Sequence, residues 1–225
     1  MTRPDLAVFD CDGILVDTER LTVLVESRVL GELGWPMAPE EVVERWMGRS
    51  SQAQLADLVG HLGAARAREF GERTTAELHE TFDRELTAVD GVVALLDHLD
   101  AQGVATCVAS SGTHGRIRRT LGITGLLARF EDRIFSATDV EHGKPAPDLF
   151  LHAASALAAD PSACTDLEDS VYGVQAGVAA GMTVYGFAGG LTAADALAAA
   201  GAITFDAMVD LVDVIAPAVH DQRLP

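Results

Sequence analysis

The sequence predicts an α/β protein built on a parallel sheet and carrying an inserted helical subdomain. After residue 91 short β-type runs alternate with helical segments, the pattern of strands joined by crossover helices. Between residues 18 and 86 the apolar positions recur at helical spacing instead: Leu21, Leu24 and Val25, then Leu55, Leu58, Val59 and Leu62, then Phe70, Leu78, Phe82 and Leu86. One β-type run, LAVFD, precedes those helices, so they interrupt the sheet after its first strand. The expected division is a Rossmann-like core of residues 1–16 and 87–225 and a four-helix cap over 17–86, broken at GWPMAP and GRSS.

Each later element has its own signal. A helix over 92–101 is stopped by Gly103 and leads into the strand VATCVA and the turn SSG. A helix over 114–121 leads to the strand RIFSA and the loop GKPAPD, and a helix over 148–157 ends before Pro161. The strand ACTDL, the acidic turn EDS, a helix to Ala180, the strand TVYGF, an alanine-rich helix, the strand AITF and a last helix over 207–215 complete the chain.

Composition narrows the function. A chain of 225 residues with 48% hydrophobic content can bury the core of one ordinary domain plus a smaller addition. A formal net charge of −18 argues against nucleic acid, which needs clustered basic surface, and it repels small anions unless a cation sits in the site. The apolar run 6–9 is too short for a signal peptide or a membrane span, so a cytoplasmic protein with no membrane partner is expected, a monomer or small homo-oligomer.

Cys11, Cys107 and Cys164 form no C-x-x-C pair, and the residues six beyond them are Asp17, Thr113 and Ser170, so a cysteine phosphatase lacks its arginine. The seven histidines have no zinc-ligand spacing, and no G-x-S-x-G elbow is present.

Four polar signals fall where strands end, the place where ligands bind in parallel α/β sheets. They are Asp10 with Asp12, then Ser110-Ser111-Gly112, then Lys144, then Glu168-Asp169. Any one alone could be a turn, a helix cap or an answer to a helix dipole. Together they make a chemical set. Asp10, Asp12 and Asp169 on neighbouring strand ends repel one another unless a hard cation neutralises them, and oxygen ligands with room for water suit Mg²⁺. Such a cation, Lys144 and the backbone N–H groups near Ser111 and Gly112 would hold a phosphoryl group, leaving one carboxylate as nucleophile. Lys144 is the single lysine beside fifteen arginines, as expected where a compact point charge fits and a planar fork does not.

FDCDGILVD, VASSG, GKPAPD and LEDSVYGVQAG, in this order, resemble the four motifs of the haloacid dehalogenase-like superfamily, and within it the β-phosphoglucomutase-like and sugar-phosphate phosphatase branch with a helical cap. The resemblance implies a small phosphorylated metabolite as substrate and Mg²⁺ as cofactor. It implies Asp10 as the nucleophile that becomes an aspartyl phosphate and Asp12 as the acid and base toward leaving group and water. Ser110 would bind phosphoryl oxygens by its hydroxyl, with Ser111 and Gly112 adding backbone contacts. Asp169 would be a direct metal ligand with Asp10 and the main-chain carbonyl of Asp12, and Glu168 a ligand through water or behind the first ligands.

Asp12 fits a phosphatase better than a dehalogenase, because an alkoxide needs a proton on leaving and a halide does not. Where the mutase has a phosphate-binding arginine and a cap histidine, this chain places Ser51 and Thr22, which favours hydrolysis and leaves mutase activity as the alternative. A binding role without catalysis would not require every catalytic position to be filled, as it is here. Glu19, Arg45, Trp46, Arg49 and Ser50 are the candidate substrate-selecting residues of the cap. Asp166, in a strand that relatives make apolar, must find a partner such as a helix N-terminus or weaken that strand.

Overall fold

The structure, a computed structural model, describes residues 3–46 and 51–215. Its strands are β1 (Leu6–Phe9), β2 (Ala105–Ser110), β3 (Ile134–Ser136), β4 (Cys164–Glu168), β5 (Thr183–Phe187) and β6 (Ile203–Phe205). They form one parallel sheet in the order β3-β2-β1-β4-β5-β6. Every residue of β1 and β4 is buried, as parallel strands covered on both faces require.

Alternation along β1 divides the interior between those faces. Ala7 and Phe9 point into a large apolar cluster with Leu95 and Leu99 of α4 (Val92–Ala101) and Ile117 and Leu121 of α5 (His114–Ile123). Leu6 and Val8 join Cys107 and Cys164 against α7 (Asp148–Ala156) and α8 (Val171–Ala179). All three cysteines are free and buried. Short α6 (Leu127–Phe130) and α9 (Ala194–Ala200) complete the covering layers. The helix expected over 207–215 is a 3₁₀ turn, Met208–Leu211, followed by α10 (Val212–Ile215).

The helical insertion has its own core. Helices α1 (Thr18–Glu32), α2 (Pro39–Trp46) and α3 (Ser51–Glu85) bury Val25, Val29, Leu30, Val42, Trp46 and Phe70 together, with Trp46 edge-on to Phe70 at 5.8 Å. Gly63, at φ 77° and ψ 159°, interrupts the helical geometry of α3. Leu24, Leu55 and Val59 face solvent despite their helical spacing, and of residues 55–59 only Leu58 is buried. No described helix is long and apolar enough to cross a membrane.

Among the described residues Asp166 finds no side-chain partner. Fully buried on β4, it has neither carboxyl oxygen hydrogen-bonded among the described residues, and burial, then Glu168, push its pKa well above the usual carboxylate range. What lies against it is Gly177 of α8, where a Cβ would stand 2.4 Å from Asp166 Oδ2. One turn earlier, a Cβ at Gly173 would fall within 2.1 Å of three carboxyl atoms of Glu168. The two glycines let α8 lie directly on the two acids of β4.

Candidate active site

Strand order reverses direction around β1, whose two neighbours are β2 and β4, so the loops beyond these three strands diverge and open a crevice. β1 ends at Phe9, level with Val108 and Leu167, and Asp10 therefore emerges beside Ala109 and Glu168. The Asp10 N–H donates to the Leu167 carbonyl at 3.0 Å, continuing the ladder and fixing the carboxyl at the sheet edge.

Lys144 ties the strand ends together. Its Nζ donates to Asp10 Oδ1 at 2.6 Å, to the Ala109 carbonyl at 3.0 Å and to Glu168 Oε1. The side chain is only 5% exposed, and the ammonium lies 5.0 Å from the Phe150 ring centroid, so its surroundings are closed. Burial works against this charge, but Asp10 and Glu168 more than offset it and hold the lysine protonated well above its ordinary range. Gly143 has no left-handed φ and room for a Cβ, so the turn carrying Lys144 does not depend on glycine there.

The other expected residues occupy the same edge. Glu168 Oε2 accepts from the Ser170 hydroxyl at 3.0 Å and the Ser170 N–H at 3.3 Å, so both of its oxygens are engaged. Ser170 in turn caps α8 by accepting from Gly173 N–H at 3.0 Å. Asp12 Oδ1 accepts from Thr18 Oγ1 at 2.6 Å and Arg116 at 3.1 Å. Buried Ser110 accepts from the Gly112 N–H at 3.1 Å, so that N–H, expected to meet a phosphoryl group, is turned onto the serine instead. Ser111 is exposed. The loop is pinned from β3, where Ser136 Oγ donates to the Gly112 carbonyl at 2.7 Å.

Asp10, Glu168 and Asp169 bring carboxylate oxygens within 4.8 Å of one another. Burial raises the Asp10 pKa to about 7 against the opposing pull of Lys144, and burial, then Glu19, push that of Asp169 well above the usual carboxylate range. Asp169 Oδ2 is buried without a hydrogen-bond partner among the described residues. It lies against Gly13, whose φ of +79° and closeness, 1.9 Å from a hypothetical Cβ, admit no side chain. Crowded acids that resist ionisation, one with a free oxygen, suit a hard divalent cation with oxygen ligands. The donor set therefore fits Mg²⁺.

Next to this floor, reached through Asp12, Thr18 and Arg116, is a cleft of about 270 Å³, lined from the helical insertion by Thr22, Val23, Glu26, Val42, Trp46 and Gln54. Glu19 lines it as well and meets Asp169 carboxyl to carboxyl. Trp46 contributes its ring, because its Nε1 donates to Asp57 at 3.0 Å. Arg45 does not reach the cleft: its guanidinium forms two bonds to Asp57, at 2.5 and 2.8 Å, and lies over Trp35. That ion pair and ring contact hold the side chain away from the cleft. Arg49 and Ser50 lie outside the described residues.

The family profile of haloacid dehalogenase-like hydrolases matches residues 7–187, which include Asp10, Asp12, Ser110, Lys144, Glu168 and Asp169 and end with β5, before β6. The chain belongs to that family. Among haloacid dehalogenase-like relatives, it is 35% identical over 189 residues to the 6-phosphogluconate phosphatase of Escherichia coli, covering 83% of this chain and 84% of that one. It is 34% identical over 178 residues to hexitol phosphatase A of the same organism, covering 79% and 80%. A haloacid dehalogenase-like protein of unknown function from Agrobacterium tumefaciens superposes with a TM-score of 0.84 at 36% identity, covering 94% of this chain and 97% of that one.

Sequence reasoning missed several contributors to this haloacid dehalogenase-like site. Arg116 stood in an arginine-rich helix with nothing to distinguish it. Ser170 sat inside the quoted acidic motif without a role. Thr18 and Glu26 did carry a signal, since with Thr22, noted for the mutase comparison alone, they repeat every fourth residue as a polar stripe on α1.

Proposed function

We propose that the chain is a Mg²⁺-dependent phosphatase of small phosphate monoesters that passes the phosphoryl group through Asp10, with residues 17–86 as the cap over the substrate. The observation that carries this reading is the enclosed Lys144 ammonium, bonded at once to Asp10, Glu168 and the Ala109 carbonyl beside Ser110. It is a fixed positive charge against the group that would attack, in a protein otherwise strongly acidic. The phosphatase relatives support a sugar phosphate or phosphorylated sugar acid as the substrate class.

In this reading Asp10 attacks phosphorus, an Asp10 O–P bond forms, and the bond to the leaving oxygen breaks as Asp12 gives that oxygen a proton. Asp12 then takes a proton from water, whose oxygen attacks the phosphorus, releasing inorganic phosphate and restoring Asp10. Lys144 and the Ser110 hydroxyl hold the phosphoryl oxygens, while Thr18 and Arg116 orient Asp12. Asp10, Asp169 and the Asp12 carbonyl, with Glu168 behind them, would hold Mg²⁺, which would supply positive charge against the phosphoryl oxygens.

Phosphate release from p-nitrophenyl phosphate tests the proposal. Turnover should need Mg²⁺ and stop with excess EDTA, and Asp10→Asn should lower it by about 10³-fold or more. Activity that survives EDTA would remove the metal from the account. A folded Asp10→Asn enzyme with appreciable turnover would place the nucleophile elsewhere.

A further inference from the structure

The cleft has a polarity that general phosphatase chemistry does not require. Along α1, Thr18, Thr22 and Glu26 form a ladder that starts at the Asp12 carboxylate, where Thr18 is bonded, and climbs away from it. From Thr18 to Glu26 the climb is roughly 12 Å at the rise of an α-helix.

At the top of the ladder Gln54 Nε2 donates to Glu26 Oε1 at 3.3 Å. This is the only hydrogen bond of either side chain among the described residues, and it leaves the second Glu26 oxygen, the Gln54 carbonyl and one amide hydrogen for a ligand. Around them the same cleft is apolar, with Val23, Val42 and a Trp46 ring whose N–H is already committed to Asp57.

We infer that Glu26 and Gln54 read the hydroxyls at the far end of the substrate, and that this end is an uncharged polyol. The inference rests on the phosphatase reading and narrows its substrate class. A vicinal diol offers donors to the carboxylate and both a donor and an acceptor to the amide, while its C–H face suits the valines and the indole. A distal carboxylate or second phosphate would instead meet the Glu26 carboxyl and Glu19 in a cleft whose one described cation, Arg116, is already bonded to Asp12. Burial raises the Glu26 pKa to about 7 against the hydrogen bond from Gln54, so this carboxyl is costly to ionise until hydroxyl donors of a ligand reach it.

The test compares glucitol 6-phosphate, 6-phosphogluconate and p-nitrophenyl phosphate. Wild-type enzyme should prefer glucitol 6-phosphate to 6-phosphogluconate in kcat/KM. Glu26→Leu should lower the ratio of glucitol 6-phosphate to p-nitrophenyl phosphate by about tenfold or more, since a site built to bond hydroxyls discriminates strongly. Glu26→Gln should recover part of that ratio and shift preference toward 6-phosphogluconate, a response that a merely structural Glu26 would not give. An unchanged ratio in Glu26→Leu, or a wild-type preference for 6-phosphogluconate, overturns the inference. Calorimetric binding of glucitol 6-phosphate to Asp10→Asn, with and without Glu26→Leu, reads the same contact without turnover. If no ester is hydrolysed the phosphatase reading falls, while a tenfold loss of binding still upholds this one and equal binding overturns it.

Discussion

The floor of the cleft and its cap wall handle polar groups in opposite ways. On the floor, Lys144 is enclosed by three acceptors and Glu168 by three donors, so each group is held by others before any ligand arrives. On the wall, Glu26 and Gln54 share one long bond and keep their remaining capacity open. The difference separates two tasks. Reaction chemistry needs charge fixed in advance, because reorganisation during the reaction is costly. Selection needs polar groups whose partners are supplied by the ligand itself.

The sharpest way to break this contrast is Lys144→Arg. If the floor is fixed in advance, a guanidinium cannot reproduce three bonds inside a shell that leaves 5% of the lysine exposed, and turnover of p-nitrophenyl phosphate should fall on the order of 10²-fold or more, nearly as far as for Lys144→Ala. Rates within threefold of wild type would make the floor as tolerant as the wall.

Gly173→Ala sharpens the contrast from a position that touches no substrate. The added methyl group would overlap the Glu168 carboxyl, so either α8 moves outward or Glu168 leaves Lys144. Turnover should drop about tenfold, with about 1–3 kcal/mol of stability lost to overpacking. Wild-type kinetics together with a wild-type melting temperature would show that the floor relaxes freely.

Asp57→Asn probes the wall and should have the smallest effect. Asp57 accepts from Arg45 and from Trp46 and so supports the ring that lines the cleft. The Arg45 hydrogen bond leads in holding the Asp57 carboxyl below the usual range. A depressed carboxylate contributes stability that is present above the unfolded pKa and lost as pH falls through the folded one. Because the pair is partly exposed, a loss of about 1 kcal/mol is expected at neutral pH, shrinking on acidification below about pH 4, where the wild type loses the same contribution. Denaturant midpoints at pH 7 and pH 3 measure it, and an equal difference at both would exclude ionisation as the cause.

Most of the floor was legible because its residues follow strand ends, and strand ends are marked locally by apolar runs that stop at Asp, Ser or Glu. Asp10, Ser110, Glu168 and Asp169 needed only that rule and a parallel sheet. Lys144 stood out by composition. The wall was less legible because its contacts join distant segments: Gln54 meets Glu26 across 28 residues, and Arg116 meets Asp12 across 104. Arg45 misled because charge near a cleft in sequence says nothing of a competing carboxylate one helix away. Asp166 was recognised as anomalous, but its solution, a helix with no side chain above it, depends on how α8 packs.

That packing sets a constraint of another kind. Two residues along β4 span about 6.6 Å, and four residues along α8 span about 6.0 Å, so Asp166 and Glu168 match Gly177 and Gly173 like marks on two rulers laid in opposite directions. One residue inserted between the glycines would turn the helix by roughly 100° and set a side chain on an acid. The strand and its helix are therefore matched as a calibrated pair, in which a change of length in one has to be answered in the other.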